Sequence, residues 1–271
     1  MARVTRFAPS PTGPLHLGHA FAALTAAARG DRFLLRLEDI DRARCTPAAE
    51  TAICDDLVWL GLQWETPVMR QSDRLPAYRT ALEHLHRLGL TYACICTRSD
   101  IRAALAAPQD GVPAPDGPAY PGTCRGRQGA GAVRLDLAAA MDRLGEVGFH
   151  ETGLRAGPHR FGPGVAAGIG DIVLARREIG TSYHLAVVVD DAAQGITEVT
   201  RGEDLFDATI IHVVLQRLLN LPTPAYHHHR LIRDDAGRRL AKRDDARALA
   251  AFRADGATPA DIRQMLGDLP G

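Results

Sequence analysis

Two histidines flank a leucine and a glycine near the start of the chain, where a strand is predicted to turn into a helix. Val4 to Ala8 is typical of a buried strand, and the Pro, Ser, Thr and Gly residues that follow predict a turn. An alanine-rich run then predicts a helix that starts at His19. His16 and His19 are therefore expected at a helix N-terminus, where unpaired N–H groups and the helix dipole favour an anion, and Gly18 leaves room for its approach. This pattern predicts a site for a nucleotide phosphate.

The composition limits the classes of protein to consider. The 271 residues are 46% hydrophobic, enough for a sizeable core, and 32 basic residues balance 32 acidic ones. A formal net charge of zero argues against broad nucleic-acid affinity, so any RNA contact must be local. The apolar runs are too short to cross a bilayer, and the N-terminus lacks the apolar segment of a signal peptide, so we expect a cytoplasmic protein without a membrane partner. Five cysteines favour metal binding or free thiols over a disulfide framework.

Helices and strands alternate along the chain, which predicts an α/β fold with a parallel sheet. Predicted strands cover residues 4–8, 32–37, 90–96, 132–135, 170–176, 183–191 and 196–204. Predicted helices cover residues 19–29, 46–61, 72–88 and the stretch around 210–218. Glu38 follows the strand at 32–37, and in an open parallel sheet ligands bind at that carboxyl edge.

Four segments are predicted. Residues 1–96 and 183–222 form the two halves of a catalytic domain. Residues 97–182 form an insertion, because the stretch from 108 to 131 is rich in Gly and Pro. Residues 223–271 contain a basic loop and a short helical segment, with no anticodon-binding domain.

The stretch Arg-Phe-Ala-Pro-Ser-Pro-Thr-Gly before His-Leu-Gly-His gives the motif its specificity, since two histidines alone also suit a solvated loop. Together they resemble the first signature of class I aminoacyl-tRNA synthetases, in the glutamyl-tRNA synthetase group. The resemblance implies a Rossmann-type catalytic domain that uses ATP with Mg²⁺. It also implies that His16, Gly18 and His19 face the ATP.

A basic run near the end, Arg239-Leu240-Ala241-Lys242-Arg243, resembles the second signature of that class, Lys-Met-Ser-Lys-Ser. The resemblance implies that Arg239 and Lys242 bind ATP and that Lys242 stabilises its phosphates as pyrophosphate leaves. Arg239 replaces the usual first lysine and Ala241 the usual serine. These departures keep open a catalytically inactive paralogue that only binds tRNA or glutamate. Alone, such a run also suits a solvated surface loop.

An amino-acid pocket is implied by the same resemblance. Arg6 and Arg201 would hold the carboxylates of L-glutamate, and Glu38 would hold its ammonium group. An arginine fork grips a carboxylate through two parallel charge-assisted bonds, whereas the amide of glutamine mismatches it. A structural ion pair is the alternative for Arg201 and Glu38. The rest of the pocket comprises Phe7, Ala8, Pro9, Ser10 and Tyr183.

Cys94 and Cys96 are two positions apart on a predicted strand, so both sulfurs point to one face. With Tyr120 and Cys124 they resemble the zinc site in the insertion of short glutamyl-type enzymes. The resemblance implies one structural Zn²⁺ per chain, bound by three thiolates and a phenol oxygen. Buried thiols beside an unrelated tyrosine are the alternative. The run of histidines at 227–229 is interpreted as a loop without a role.

The chain ends soon after Arg243, whereas a full glutamyl-tRNA synthetase needs a further C-terminal body to read the anticodon. The resemblance is therefore to short paralogues of that enzyme. The resemblance implies ATP-dependent, tRNA-independent activation of glutamate and its transfer to queuosine in the anticodon loop of tRNA(Asp). L-glutamate, ATP and queuosine-bearing tRNA(Asp) are the expected partners of a monomer. A truncated synthetase that charges a tRNA 3′ end is the alternative.

Overall fold

The computed structural model describes residues 2–97, 99–100, 119–120, 122–127, 129–233 and 247–269. Within them, the strands are β1 Val4–Phe7, β2 Arg32–Leu37, β3 Glu65–Arg70, β4 Thr91–Cys94, β5 Ala132–Leu135, β6 Val147–Glu151, β7 Gly157–Phe161, β8 Ile172–Ala175, β9 Glu198–Gly202 and β10 Ala225–His229. The helices are α1 Leu17–Arg29, α2 Pro47–Trp59, α3 Leu75–Arg87, α4 Leu137–Leu144, α5 Ala166–Ile169, α6 Tyr183–Ala193, α7 Thr209–Leu218, α8 Leu249–Ala254 and α9 Pro259–Leu266.

Two sheets of mainly parallel strands meet side by side. One has the order β1-β2-β3, and the other has the order β7-β6-β10-β9, in which only β7 is antiparallel. The sheets join at β1 and β9, where the amide of Thr197 donates to the carbonyl of Val4 at 3.0 Å. Further along, Nη1 of Arg6 donates to the carbonyl of Thr200 at 3.3 Å, so both strands run in the same direction. Their carboxyl ends therefore share one edge.

A third sheet, β4-β5-β8, is antiparallel. The strand predicted at 90–96 thus exists as β4, but it pairs with β5 instead of a strand of the parallel sheets. Pairing also joins β6 to β10. Both pairings cross the boundaries expected at 96/97 and 182/183, and the division into four segments stays a prediction.

The strand predicted at 183–191 is wrong, because this stretch is the helix α6. Ser182 caps it by accepting a hydrogen bond from the amide of Leu185 at 3.4 Å. Residues 185–188 in its middle are apolar and all buried, so this stretch shows no helical periodicity. A short apolar run of this kind does not distinguish a buried strand from a buried helix.

Helices cover both faces of the parallel sheets. Helices α1, α2, α8 and α9 pack on one face around Phe21 and Leu57. Helices α4, α6 and α7 pack on the other face around Leu185 and Val214. Among the described residues, no helix has both the length and the apolar character needed to cross a membrane.

Candidate active site

A cavity of about 400 Å³ lies where the carboxyl ends of β1 and β9 meet the start of α1. It brings together nine of the residues predicted for the site: Arg6, Phe7, Ala8, His16, Gly18, His19, Glu38, Tyr183 and Arg201. Ser10 lines a neighbouring cavity of about 210 Å³. Pro9 lines neither, but its carbonyl accepts from the amide of Glu38 at 3.0 Å. Arg239 and Lys242 lie outside the described residues.

The two histidines of the first motif lie at the N-terminus of α1, as predicted. Nδ1 of His16 accepts from the amide of Gly18 at 3.1 Å, and Nδ1 of His19 accepts from the amide of His16 at 3.2 Å. The ring centroids are 3.8 Å apart. Because each Nδ1 accepts, a neutral ring carries its proton on Nε2. Each ring thus has an N–H donor suited to a phosphate oxygen at the positive end of the helix dipole.

Arg6 and Arg36 share one buried carboxylate, that of Asp191 in α6. Nε and Nη2 of Arg6 donate to its two oxygens at 2.9 and 3.2 Å, and Nη1 of Arg36 donates to Oδ1 at 2.7 Å. Burial by itself would raise the pKa of Asp191, but the two guanidiniums hold that pKa below its usual range. Arg6 is thus already paired with a carboxylate of the protein.

Arg201 differs, because its described partners are all uncharged in this arrangement. Its Nε donates to Nε2 of His228 at 3.1 Å, and its Nη1 donates to Nδ1 of His212 at 2.9 Å. Its Nη2 donates to Oγ1 of Thr209 at 2.6 Å. The residue is only 6% exposed. Since a guanidinium has five N–H bonds, one remains on each terminal nitrogen, and these two donors match the two oxygens of a carboxylate.

Glu38 belongs to the buried group of charges formed by Arg6, Arg36 and Asp191. Nη2 of Arg36 is 3.4 Å from its Oε1, so Arg36 contacts both Glu38 and Asp191. Burial raises the pKa of Glu38 despite the attraction of Arg36 and Arg6. A cation bound at this carboxylate would favour its ionised form. An ammonium group is therefore a suitable ligand for Glu38.

The histidine run at 227–229 is not a loop, so that interpretation is wrong. It forms the end of β10, a buried strand between β6 and β9. Successive side chains point to opposite faces of a strand. His228 contacts Arg201, whereas His229 lines the cavity. Polar residue types concealed this strand, although neutral imidazoles are tolerated in a core when they are hydrogen bonded.

Three sulfurs and a phenol oxygen converge beside β4. The Sγ atoms of Cys94, Cys96 and Cys124 all lie within 4.8 Å of one another. Oη of Tyr120 is 3.4 Å from Sγ of Cys94 and 3.3 Å from Sγ of Cys96. A hydrogen bond with Tyr120 lowers the pKa of Cys124 to about 7, which favours the thiolate that binds metals. This donor set fits a structural tetrahedral zinc ion.

Contacts outside the sulfurs fasten the loop that carries Tyr120 and Cys124. Gly170 has a φ of +73°, and a Cβ there would meet the amide nitrogen of Tyr120 at 2.5 Å. Only glycine therefore permits this close approach. Arg125 donates to both oxygens of Asp171 at 2.7 and 2.5 Å. The loop is thus attached to the chain just before β8.

We predict one zinc ion per chain, bound by Cys94, Cys96, Tyr120 and Cys124. The variant Cys124→Ser should lose most of the zinc and unfold at a lower temperature, because metal binding is coupled to folding. Elemental analysis of dialysed protein measures the content. Cys54→Ser is the matched control, since this half-buried thiol lies in α2 outside the cluster. A parent without zinc, or unchanged zinc in Cys124→Ser, would contradict the site.

Comparison with known proteins defines the class. Residues 3–126 and 163–269 match the family described as tRNA synthetases class I (E and Q), catalytic domain. The chain belongs to this family and is an ATP-dependent ligase. Its α/β fold with a parallel sheet is confirmed.

Individual proteins are also similar to this chain. The chain is 61% identical to the Glutamyl-Q tRNA(Asp) synthetase of Rhodobacter capsulatus, over 97% of this chain and 99% of that one. It is 45% identical to the protein of the same name from Symbiobacterium thermophilum, over 98% of this chain and 86% of that one. Among solved structures, the glutamate-tRNA synthetase of Elizabethkingia anophelis matches with a TM-score of 0.78 and 25% identity, covering 98% of this chain and 61% of that chain.

Proposed function

We propose that this chain activates L-glutamate with ATP, without tRNA, and transfers the glutamyl group to queuosine in the anticodon loop of tRNA(Asp). The name shared by the relatives supports the acceptor, at 61% identity over nearly the whole of both chains for the Rhodobacter protein. One observation supports the amino acid above all others. Arg201 is a buried guanidinium with uncharged described partners and two remaining donors, which suits a carboxylate better than an amide.

Two displacements make up the reaction. A carboxylate oxygen of glutamate attacks the α-phosphorus of ATP, the bond from that phosphorus to the bridging oxygen breaks, and pyrophosphate leaves with Mg²⁺. A hydroxyl of queuosine then attacks the acyl carbon, AMP leaves, and the hydroxyl proton is lost to solvent. Neither step needs a side-chain nucleophile, so the protein mainly aligns the reactants and stabilises charge on the phosphates.

The roles proposed for the residues that line the cavity are supported by its geometry, and those of Pro9, Arg239 and Lys242 rest on the resemblance to the family. His16 and His19 donate to ATP phosphates beside Gly18, at the N-terminus of α1. Lys242, with Arg239, neutralises the departing pyrophosphate. The other site residues bind glutamate: Glu38 takes its ammonium group, Arg201 takes a carboxylate, and Arg6, Phe7, Ala8, Pro9, Ser10 and Tyr183 complete the pocket.

The smaller cavity is the proposed approach of the acceptor. It shares Glu38 and Tyr183 with the larger one. Gln71 lines it, donating from Nε2 to Asp190 at 3.0 Å, while its buried Oε1 has no partner among the described residues. Arg44, also in the wall, is paired through Nε with Asp41 at 2.6 Å, and its terminal nitrogens suit a nearby phosphate.

Labelled glutamate, with ATP and Mg²⁺, should be incorporated into tRNA(Asp) that contains queuosine and not into unmodified tRNA(Asp). Incorporation should persist in queuosine-containing tRNA(Asp) from which the 3′-terminal adenosine has been removed, because the attacking hydroxyl lies in the anticodon loop. Pyrophosphate exchange should proceed without any tRNA. Acid-precipitable labelled glutamate measures transfer to the tRNA. Labelled ATP formed from labelled pyrophosphate measures activation.

Other outcomes would select the alternatives. Charging of tRNA(Glu) at its 3′ end would favour a truncated glutamyl-tRNA synthetase, the activity named for the Elizabethkingia structure. Absence of glutamate-dependent pyrophosphate exchange would indicate a paralogue that only binds its ligands. A monomeric state and a cytoplasmic location remain predictions.

A further inference from the structure

We propose that His212 is a positioning residue that determines specificity for a carboxylate: as an uncharged hydrogen-bond acceptor, it fixes Arg201 without neutralising it. The inference rests on the proposed function in that glutamate is the ligand. It adds a residue of α7 that does not line the cavity.

Hydrogen-bond directions fix the state of His212. A guanidinium only donates, so Nδ1 of His212, 2.9 Å from Nη1 of Arg201, must accept. The ring proton is then on Nε2, which lies 3.0 Å from Nδ1 of His184 and donates to it. Burial, followed by the charge of Arg201, lowers the pKa of His212 well below its ordinary value. The ring is therefore neutral.

The same logic holds at the other nitrogens of Arg201. Nε2 of His228 accepts from Arg201, so the proton of that ring is on Nδ1, which donates to Oε2 of Glu151 at 2.5 Å. Glu151 is thus bound to the far side of the ring and not to the guanidinium. The third partner is the hydroxyl of Thr209. Three described partners hold the guanidinium, and none of them carries a charge in this arrangement.

The neighbouring Arg6 shows what the alternative arrangement does. Asp191 occupies its Nε and Nη2 donors and compensates its charge. If Arg201 were held in the same way, a substrate carboxylate would have to compete with a carboxylate of the protein in a buried, low-dielectric site. Neutral imidazoles fix the geometry and leave the attraction to the substrate intact.

The test is a pair of isosteric variants, His212→Asn and His212→Asp. Asparagine keeps a neutral acceptor near the position of Nδ1, and aspartate places a carboxylate there. We expect a KM for glutamate in pyrophosphate exchange at least tenfold higher in the aspartate variant than in the asparagine variant. We expect kcat at saturating glutamate to differ much less, and preference for glutamate over glutamine to fall only in the aspartate variant. Loss of side-chain size and of the His184 contact is common to both, so the two variants differ only in whether a neutral amide or a carboxylate lies beside Arg201.

His86→Asn, at an exposed position of α3, is the control and should match the parent. Thermal unfolding checks that each variant is folded. If the His212 variants do not fold, Thr209→Asn and Thr209→Asp make the same comparison at Nη2 of Arg201. Equal KM values within either folded pair would overturn the inference and leave the proposed function standing. A parent without glutamate-dependent exchange would overturn both.

Discussion

Replacing Arg201 by glutamine is expected to lower kcat/KM for glutamate by about a hundred- to a thousandfold in pyrophosphate exchange. Removing one partner of a buried, hydrogen-bonded charge pair costs about 2–5 kcal/mol. A factor of ten in rate corresponds to about 1.4 kcal/mol. Most of the loss should be in KM, since the carboxylate is held both before and during the reaction. Steady-state exchange at varied glutamate measures both constants.

Two further variants make this result interpretable. Arg201→Lys keeps the charge but not the planar fork, so its kcat/KM should lie between those of the parent and Arg201→Gln. Arg3→Gln is the control, because Arg3 is about half exposed with its Nε 3.8 Å from Oε2 of Glu198, and exposed pairs contribute little. If folded Arg201→Gln stays within threefold of the parent, the substrate carboxylate binds elsewhere.

Asp191→Asn is expected to lower the free energy of unfolding by about 3 kcal/mol, because it leaves two buried guanidiniums without their carboxylate. For a chain of this size that corresponds to a melting temperature lower by roughly 10 °C. Glu65→Gln is the matched control. It breaks the Arg32–Glu65 pair, also short at 2.6 Å but about half exposed, and should change the free energy of unfolding far less than Asp191→Asn does.

The stabilities of the parent and of Asp191→Asn should depend differently on pH in the acid range. The pKa of Asp191 is lowered in the folded state, so its contribution is fully present above the unfolded pKa of about 3.9 and is lost as the pH falls through the folded pKa. The stability difference between the parent and Asp191→Asn should therefore shrink below about pH 4. Urea unfolding at a series of pH values measures it. A difference that stays constant down to pH 2 would show that the Asp191 charge does not provide the stability.

The sequence predicted those parts of the site whose residues are close together along the chain. The turn from β1 to α1 follows from a run of turn residues before a strong helix former, so His16, Gly18 and His19 were placed correctly. The sulfur cluster was also foreseeable, because the strand period puts Cys94 and Cys96 on one face. In both cases the residues that meet are close in sequence or repeat a known motif.

The partners of Arg201 and Arg6 were not predicted, and the reason is physical. His212, His228 and Asp191 come from α7, β10 and α6, so only the tertiary fold brings them to these arginines. Asp191 was further obscured because its helix is buried and was predicted as a strand. A histidine inside the apolar pattern of α7 was the one available signal, since a buried imidazole needs a hydrogen-bond partner.

The contact between β1 and β9 joins the two parallel sheets, and the site lies across this contact. Arg6 and Glu38 come from the first sheet, and Arg201 from the second. A ligand that contacts both sets of residues binds only when the sheets are joined, so it adds RT ln(1 + [L]/Kd) to the free energy of their separation. Bound substrate therefore also stabilises the contact between β1 and β9 at Val4 and Thr197. Local opening of the two sheets at this contact should become rarer as the occupancy of the site rises.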